Sequence, residues 1–155
     1  MSDRPLEVRP ATEADAALLL DWRNDERTRL ASRTTDPVRW DDHVRWLRST
    51  LARDDRLLVI VESQEPVGVV RWDRLDADAW ELSITLAPDA RGRRLGLAVL
   101  AAGEAALLGT VGAARLVAVT RVENAAARRL FSTAGYVPTA SSEDGMLTFV
   151  RTVGR

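Results

Sequence analysis

The stretch W-E-L-S-I-T-L-A-P-D-A-R-G-R-R-L-G, Trp80 to Gly96, decides the fold. Its first half alternates strictly, with Trp80, Leu82, Ile84 and Leu86 on one face and Glu81, Ser83 and Thr85 on the other, the period of a β-strand. A polar row in a central strand is costly unless it faces water or a site. From Leu95 to Leu108 the period becomes helical, and Glu104 is the only charge in that run. A helix apolar nearly all round is expected to be covered on more than one side. Arg115 to Thr120 then reads as a buried strand, so Trp80 to Thr120 predicts a right-handed crossover between parallel strands. The junction, a Gly-containing turn feeding a helix start, offers free amides at the positive end of a helix dipole, which suits a pyrophosphate. Arg91, Arg93 and Arg94 add further donors. A solvated surface turn whose glycine supplies a positive φ would carry the same letters, and neither G-x-G-x-x-G nor a Walker lysine is present.

Outward from this junction, Leu57 to Val61, Val67 to Trp72 and Trp80 to Leu86 form an antiparallel meander with turn residues between them. Leu6 to Arg9 reads as a short strand ahead of a helix opened by Thr12 and Asp15, with Ala16, Leu19, Leu20 and Trp22 on its buried side. The charged segment Asp21 to Arg33 reads as a loop. A second helix is expected from Trp40 to Arg53, with Val44, Leu47 and Leu51 at helical spacing. Ala125 to Thr133 predicts a short helix ending at Gly135, and Met146 to Arg151 a last strand.

The chain has 155 residues, the size of one domain, and a formal charge of -1, so no overall field draws it to nucleic acid or an anionic membrane. All of its basic side chains are arginine. Without lysine there is no Schiff base; without cysteine, no thiolate nucleophile and no sulfur-bound zinc. One histidine, His43, excludes a multi-histidine metal centre, so no metal is expected. The N-terminus lacks the apolar stretch of a secretory signal, and no run approaches the roughly 20 apolar residues that cross a bilayer, which predicts a cytoplasmic location. Carboxylates, hydroxyls, arginines, backbone amides or a co-substrate must carry the chemistry.

The segment E-L-S-I-T-L-A-P-D-A-R-G-R-R-L-G, followed by N-A-A-A-R-R-L-F-S-T-A-G-Y, resembles the acetyl-CoA-binding core of the GNAT superfamily of N-acetyltransferases. The resemblance runs from L-E-V-R-P-A-T-E-A-D to A-G-Y. It implies an α/β (α+β) fold: a mixed, mostly antiparallel six- or seven-stranded sheet flanked by helices, as a single domain over 1–155. Acetyl-CoA would be wedged where the two central parallel strands splay apart. The family's Q/R-x-x-G-x-G/A turn falls on Arg91, Gly92, Arg93, Arg94, Leu95 and Gly96, and the motif's first glycine is Arg94 here. By the same match, the backbones of Ile84, Thr85 and Leu86 would meet the pantetheine, and the amides from Gly92 to Leu97 the pyrophosphate. Asn124 matches an asparagine beside the co-substrate, and Asn before Ala-Ala-Ala is equally an N-cap.

The resemblance implies direct attack of an amine in a ternary complex, a step that requires no covalent enzyme intermediate. Glu81, ten positions before Arg91, stands where many relatives carry a general-base glutamate, and Ser83 shares its face and could order a water. A solvated strand carboxylate is the plainer reading of Glu81. The family's acid tyrosine position is Phe131, which has no proton to give; solvent or Ser132 would supply it, and Tyr136 reads as core. For the acceptor, Trp22, Arg23, Asn24, His43, Trp46 and Arg71 are the candidates. L-D-W-R-N-D, H-V-R-W-L and G-V-V-R-W-D resemble the branch that acetylates UDP-linked amino sugars on the route to pseudaminic acid, where arginines would meet the nucleotide or sugar and a tryptophan would stack. Ordinary helix packing explains His43 and Trp46 as well. The alternatives are a peptide acceptor, as in the branch acting on ribosomal-protein N-termini, and a silent acetyl-CoA-binding module. Dimers are frequent among relatives, which allows a homodimer.

Overall fold

The alternation of apolar and polar residues and the crossover helix build one mixed sheet in the computed structural model, which describes residues 5–32, 34–92, 94–141 and 144–154. The strands are β1 (Glu7–Pro10), β2 (Arg56–Ser63), β3 (Glu65–Arg74), β4 (Ala79–Leu86), β5 (Ala114–Arg121), β6 (Val137–Ser141) and β7 (Met146–Val153). The helices are α1 (Ala16–Asn24), α2 (Glu26–Ala31), α3 (Trp40–Ala52), α4 (Gly96–Val111) and α5 (Ala125–Thr133). The seven strands run in the order β1-β2-β3-β4-β5-β7-β6, and only β4 and β5 are parallel. This is the expected mixed, mostly antiparallel sheet, joined across β4 and β5 by α4. Among the described residues no helix is long and apolar enough to cross a membrane.

Alternation assigns the helices to opposite faces. Val70 and Trp72 of β3 turn toward α4, where the Trp72 indole Nε1 donates to the Gly103 carbonyl at 3.0 Å. Arg71, between them, points to the other face and lies against Trp46 of α3. Helices α1 and α3 cover that second face, α1 against β4 and α3 against β2. His43 locks the two helices together: it is buried, and its Nε2 lies 2.9 Å from the Ala16 carbonyl, so this nitrogen carries the proton of a neutral imidazole. Burial holds the His43 pKa below its ordinary value, in keeping with that form.

One expectation needs correction. Asp21 to Arg33 is not a loop: α1 continues to Asn24 and α2 follows directly, while Arg33 lies outside the described residues. No residue of α2 is buried, so no apolar stripe announces it. It starts instead on a cap, the Asp25 carboxylate accepting from the Thr28 amide at 3.2 Å. Helix α4 is covered on more than one side, as its composition predicts. The sheet covers one side and Leu130 and Tyr136 another, but Ala98, Ala101, Ala105 and Gly109 form an exposed stripe. Small side chains, rather than burial all round, account for its lack of charge.

Glu104, the one charge of α4, is buried and fully engaged. It accepts from the Tyr136 hydroxyl at 2.7 Å and from Arg151 Nη1 at 3.0 Å. Burial and this hydrogen bond push the Tyr136 pKa well above the usual phenol range. Tyr136→Phe leaves one lobe of a buried carboxylate unpartnered and is expected to lower stability by about 2 kcal/mol. Urea denaturation checks this, and an unchanged midpoint would mean that Arg151 alone satisfies the carboxylate.

Candidate functional site

Parallel pairing of β4 with β5 runs from Ala79 opposite Arg115 to Leu82 opposite Ala118 and stops there. Both strands continue, β4 to Leu86 and β5 to Arg121. Across its other edge β4 stays paired with β3 as far as Leu86 opposite Gly68. The segment Ser83 to Leu86 therefore holds its β3 side and leaves its β5 side open. Backbone groups left unpaired in the middle of a sheet need a partner from elsewhere. Ile84, Thr85 and Leu86 are half-buried along this opening.

The opening leads into the turn before α4. A short 3-10 turn, Pro88–Ala90, delivers Arg91, then Gly92 at φ 75° and Arg94 at φ 58°. Arg94 thus adopts the left-handed conformation that favours glycine, although it carries a Cβ. Its side chain is exposed. Arg93, expected to contact the co-substrate, lies outside the described residues. Leu95 stands at the N-cap with no side-chain cap, and the amide of Val99 donates to the Leu95 carbonyl. The amides of Gly96, Leu97 and Ala98 precede the first such bond, so helix geometry leaves them without an intrahelical acceptor. A Cβ at Gly96 would meet the Leu130 side chain at 3.6 Å, and Leu97 is exposed at the helix mouth. A positive dipole end with free N–H groups is an anion seat.

Arg91, expected at the phosphates, has partners within the fold. Its Nη2 donates to the Asp25 carboxylate at 2.5 Å and to Thr28 Oγ1 at 2.7 Å. The arginine at the head of the turn is thereby tied to the cap of α2, and it holds the Asp25 carboxyl below the usual carboxylate range. Sequence reasoning missed this link. Its one available signal was the cap-like Asp25 ahead of Glu26 and Thr28, hidden among charges.

On the face opposite α4, Glu81 and Ser83 are half-buried on β4, with Asp73 and Arg71 of β3 directly across from them. Arg71 and Arg56 both pair with Asp73 at 3.1 Å. The Arg71 guanidinium carbon lies 5.3 Å from the Trp46 ring centroid, and Trp46 keeps 38% of its surface exposed. Arg23 approaches the same region from α1. The other acceptor candidates are held by the fold. Trp22 is buried in the core and has no free face for stacking. Asn24 clamps Val38, donating to its carbonyl at 2.9 Å and accepting from its amide at 2.7 Å. His43 is buried on Ala16 and stacks on Trp46 at 5.7 Å.

Asn124 caps α5, its Oδ1 accepting from the Ala127 amide at 3.1 Å. Phe131 is buried against Tyr136 and Phe149. Tyr136, bound to Glu104 and with its pKa raised, is no proton donor at this site. Among the described residues no cluster could hold a metal ion.

The chain matches the family model described as an acetyltransferase (GNAT) domain over residues 5–137. No curated protein matches it in sequence. Its structure is similar to that of a spermidine N-acetyltransferase from Vibrio cholerae in complex with CoA and spermine, with TM-score 0.85 and 15% identity, covering 95% of each chain. It is also similar to an aminoglycoside acetyltransferase in complex with coenzyme A, with TM-score 0.80 and 20% identity over 95% of this chain and 94% of that one. A domain from Methanocaldococcus jannaschii superposes with TM-score 0.82 at 20% identity, over 97% of this chain and 100% of that one.

Proposed function

The chain belongs to the GNAT acetyltransferase family, and on that premise we propose that it acetylates the primary amine of a small molecule by direct attack in a ternary complex. One observation carries this reading: the unpaired side of β4 from Ser83 to Leu86 runs straight into an uncapped helix start. Such a track suits acetyl-CoA, whose pantetheine arm is an extended chain with amides and whose pyrophosphate is dianionic. On this assignment the backbones of Ile84, Thr85 and Leu86 hold the arm, and the turn from Gly92 to Leu97 seats the phosphates. Arg91 orients the turn through Asp25 and Thr28 instead of binding the ligand itself.

Bound acetyl-CoA supplies a thioester carbonyl open to attack by a neutral amine. The protein must supply a proton acceptor close to that amine. Glu81 occupies the polar face of the same strand, and its carboxylate removes the amine proton directly or through a water ordered by Ser83. As the C–N bond forms and the C–S bond breaks, the leaving sulfur takes its proton from solvent, since Phe131 has none to give.

Spermine and the aminoglycoside kanamycin, bound in structurally similar enzymes, are small-molecule amines and support this acceptor class. Amino-sugar nucleotides and N-terminal peptides stand beside them in the test. Acetyl-CoA at one hundred times its Kd should stabilise the protein by roughly 2.7 kcal/mol, and one member of a panel of those four amine classes should drive release of free thiol. Absence of both the thermal shift and thiol release overturns the reading.

A further inference from the structure

Among the described residues Arg23 is a cation without an anion. Its Nη1 is buried and has no hydrogen-bond partner, and its Nη2 reaches only the Thr34 carbonyl at 3.4 Å. No carboxylate pairs with it among the described residues. Its charged neighbours are cations: burial first, then Arg71 and Arg29, lower its pKa. Those two have their own partners, Arg71 on Asp73 and Arg29 on the carbonyls of Asn24 and Thr35. Partly burying a guanidinium beside two others costs stability unless something negative arrives. Nothing in the packing calls for that cost, since the core residues of α1 are Ala16, Leu19 and Trp22. Of the carboxylates on this sheet face, Asp73 is already shared by two arginines, Glu62 pairs with Arg9, and the acetyltransferase reading uses Glu81 for the amine.

We propose that Arg23, with Arg71 beside it, holds an oxyanion of the acceptor, so that the acetylated amine belongs to a molecule that also bears a carboxylate or a phosphate. This rests on the acetyltransferase reading and names the substrate class within it. The free N–H of Arg23 and the delocalised charge of a guanidinium suit either group. The exposed face of Trp46 gives the body of such a molecule an apolar wall next to Arg71. Polycationic amines would meet the same arginines as like charges and be disfavoured.

Two matched pairs test this on the native enzyme: glucosamine against glucosamine 6-phosphate, and alanine amide against alanine. The anionic member of at least one pair is expected to show a kcat/KM at least tenfold higher, and the pair that does so tells phosphate from carboxylate. Arg23→Gln should erase that preference through KM and leave the acetyl-CoA thermal shift unchanged. It should fold with stability equal to or above the native protein, because it removes an uncompensated charge. A second readout needs no turnover: with CoA saturating its own anion seat, inorganic phosphate should raise the Tm of the native protein and not that of Arg23→Gln. Equal use of both members in each pair, or a phosphate shift that is absent or identical in the variant, overturns the proposal. Loss of the acetyl-CoA shift in the native protein would instead strike the acetyltransferase reading.

Discussion

Glu81→Gln is expected to lower kcat/KM for the acceptor by about 100- to 10,000-fold, the range that a positioned general base contributes. Glutamine keeps the shape and polarity of the side chain, and a half-buried position on a strand paired through Asp73 on one side and Val117 on the other tolerates it. The fold and the affinity for acetyl-CoA should therefore stay as they are. What disappears is the ability to accept a proton. Without it, only molecules whose amine is already neutral react, so the residual rate should climb about tenfold per pH unit below the amine's own pKa, near 10 for an alkylamine. Single-turnover thiol release across pH, with native protein and variant side by side, reads both effects. A drop smaller than threefold would remove Glu81 from the proton path.

The second large effect is expected from Gly103→Val. A Cβ at Gly103 would fall 2.6 Å from a Val70 methyl, closer than any real contact. This glycine is needed for approach rather than for φ: it lets α4 lie against β3 while its carbonyl receives the Trp72 indole. Valine forces the helix off the sheet and strains that hydrogen bond, which should cost roughly 3 kcal/mol or somewhat more, at the upper end of overpacking. Helix α4 also sets where its uncapped start meets the end of β4, so acetyl-CoA affinity should weaken along with stability. Val70→Ala removes the two methyls at 2.6 and 2.8 Å and leaves only the Cβ at 2.9 Å, so the double variant should recover part, not all, of both losses. Denaturation and acetyl-CoA titration of all four proteins give the coupling; strict additivity would mean that the two residues do not collide.

How much of this was legible beforehand depended on whether a residue's surroundings are local. The alternation in β4 and the change to helical period at Leu95 are properties of consecutive residues, and both stand in the structure as read. Helix α2 was not legible because a cap and an arginine some sixty positions away replace the usual apolar stripe. Among the acceptor candidates, Trp22 already belonged to the apolar side of α1, and burial settles it there. Asn24 and His43 look available in one dimension, yet each is held by a backbone group distant in sequence, Val38 and Ala16. Arg23 gave the opposite signal. Nothing in D-W-R-N distinguishes it from the other arginines until packing shows that it lacks a partner.

The gap between β4 and β5 has a consequence for how the molecule keeps to itself. Exposed strand edges recruit strands from other chains, which is why proteins blunt them. Here the unpaired edge lies not at the margin of the sheet but at its centre, recessed between β3-β4 on one side and β5-β7 on the other. The gap closes into regular parallel pairing at Leu82, so a strand of another chain that approached it would meet a neighbour on either side. Open backbone valences placed there are kept from the margin of the sheet, where a second copy of the chain would pair.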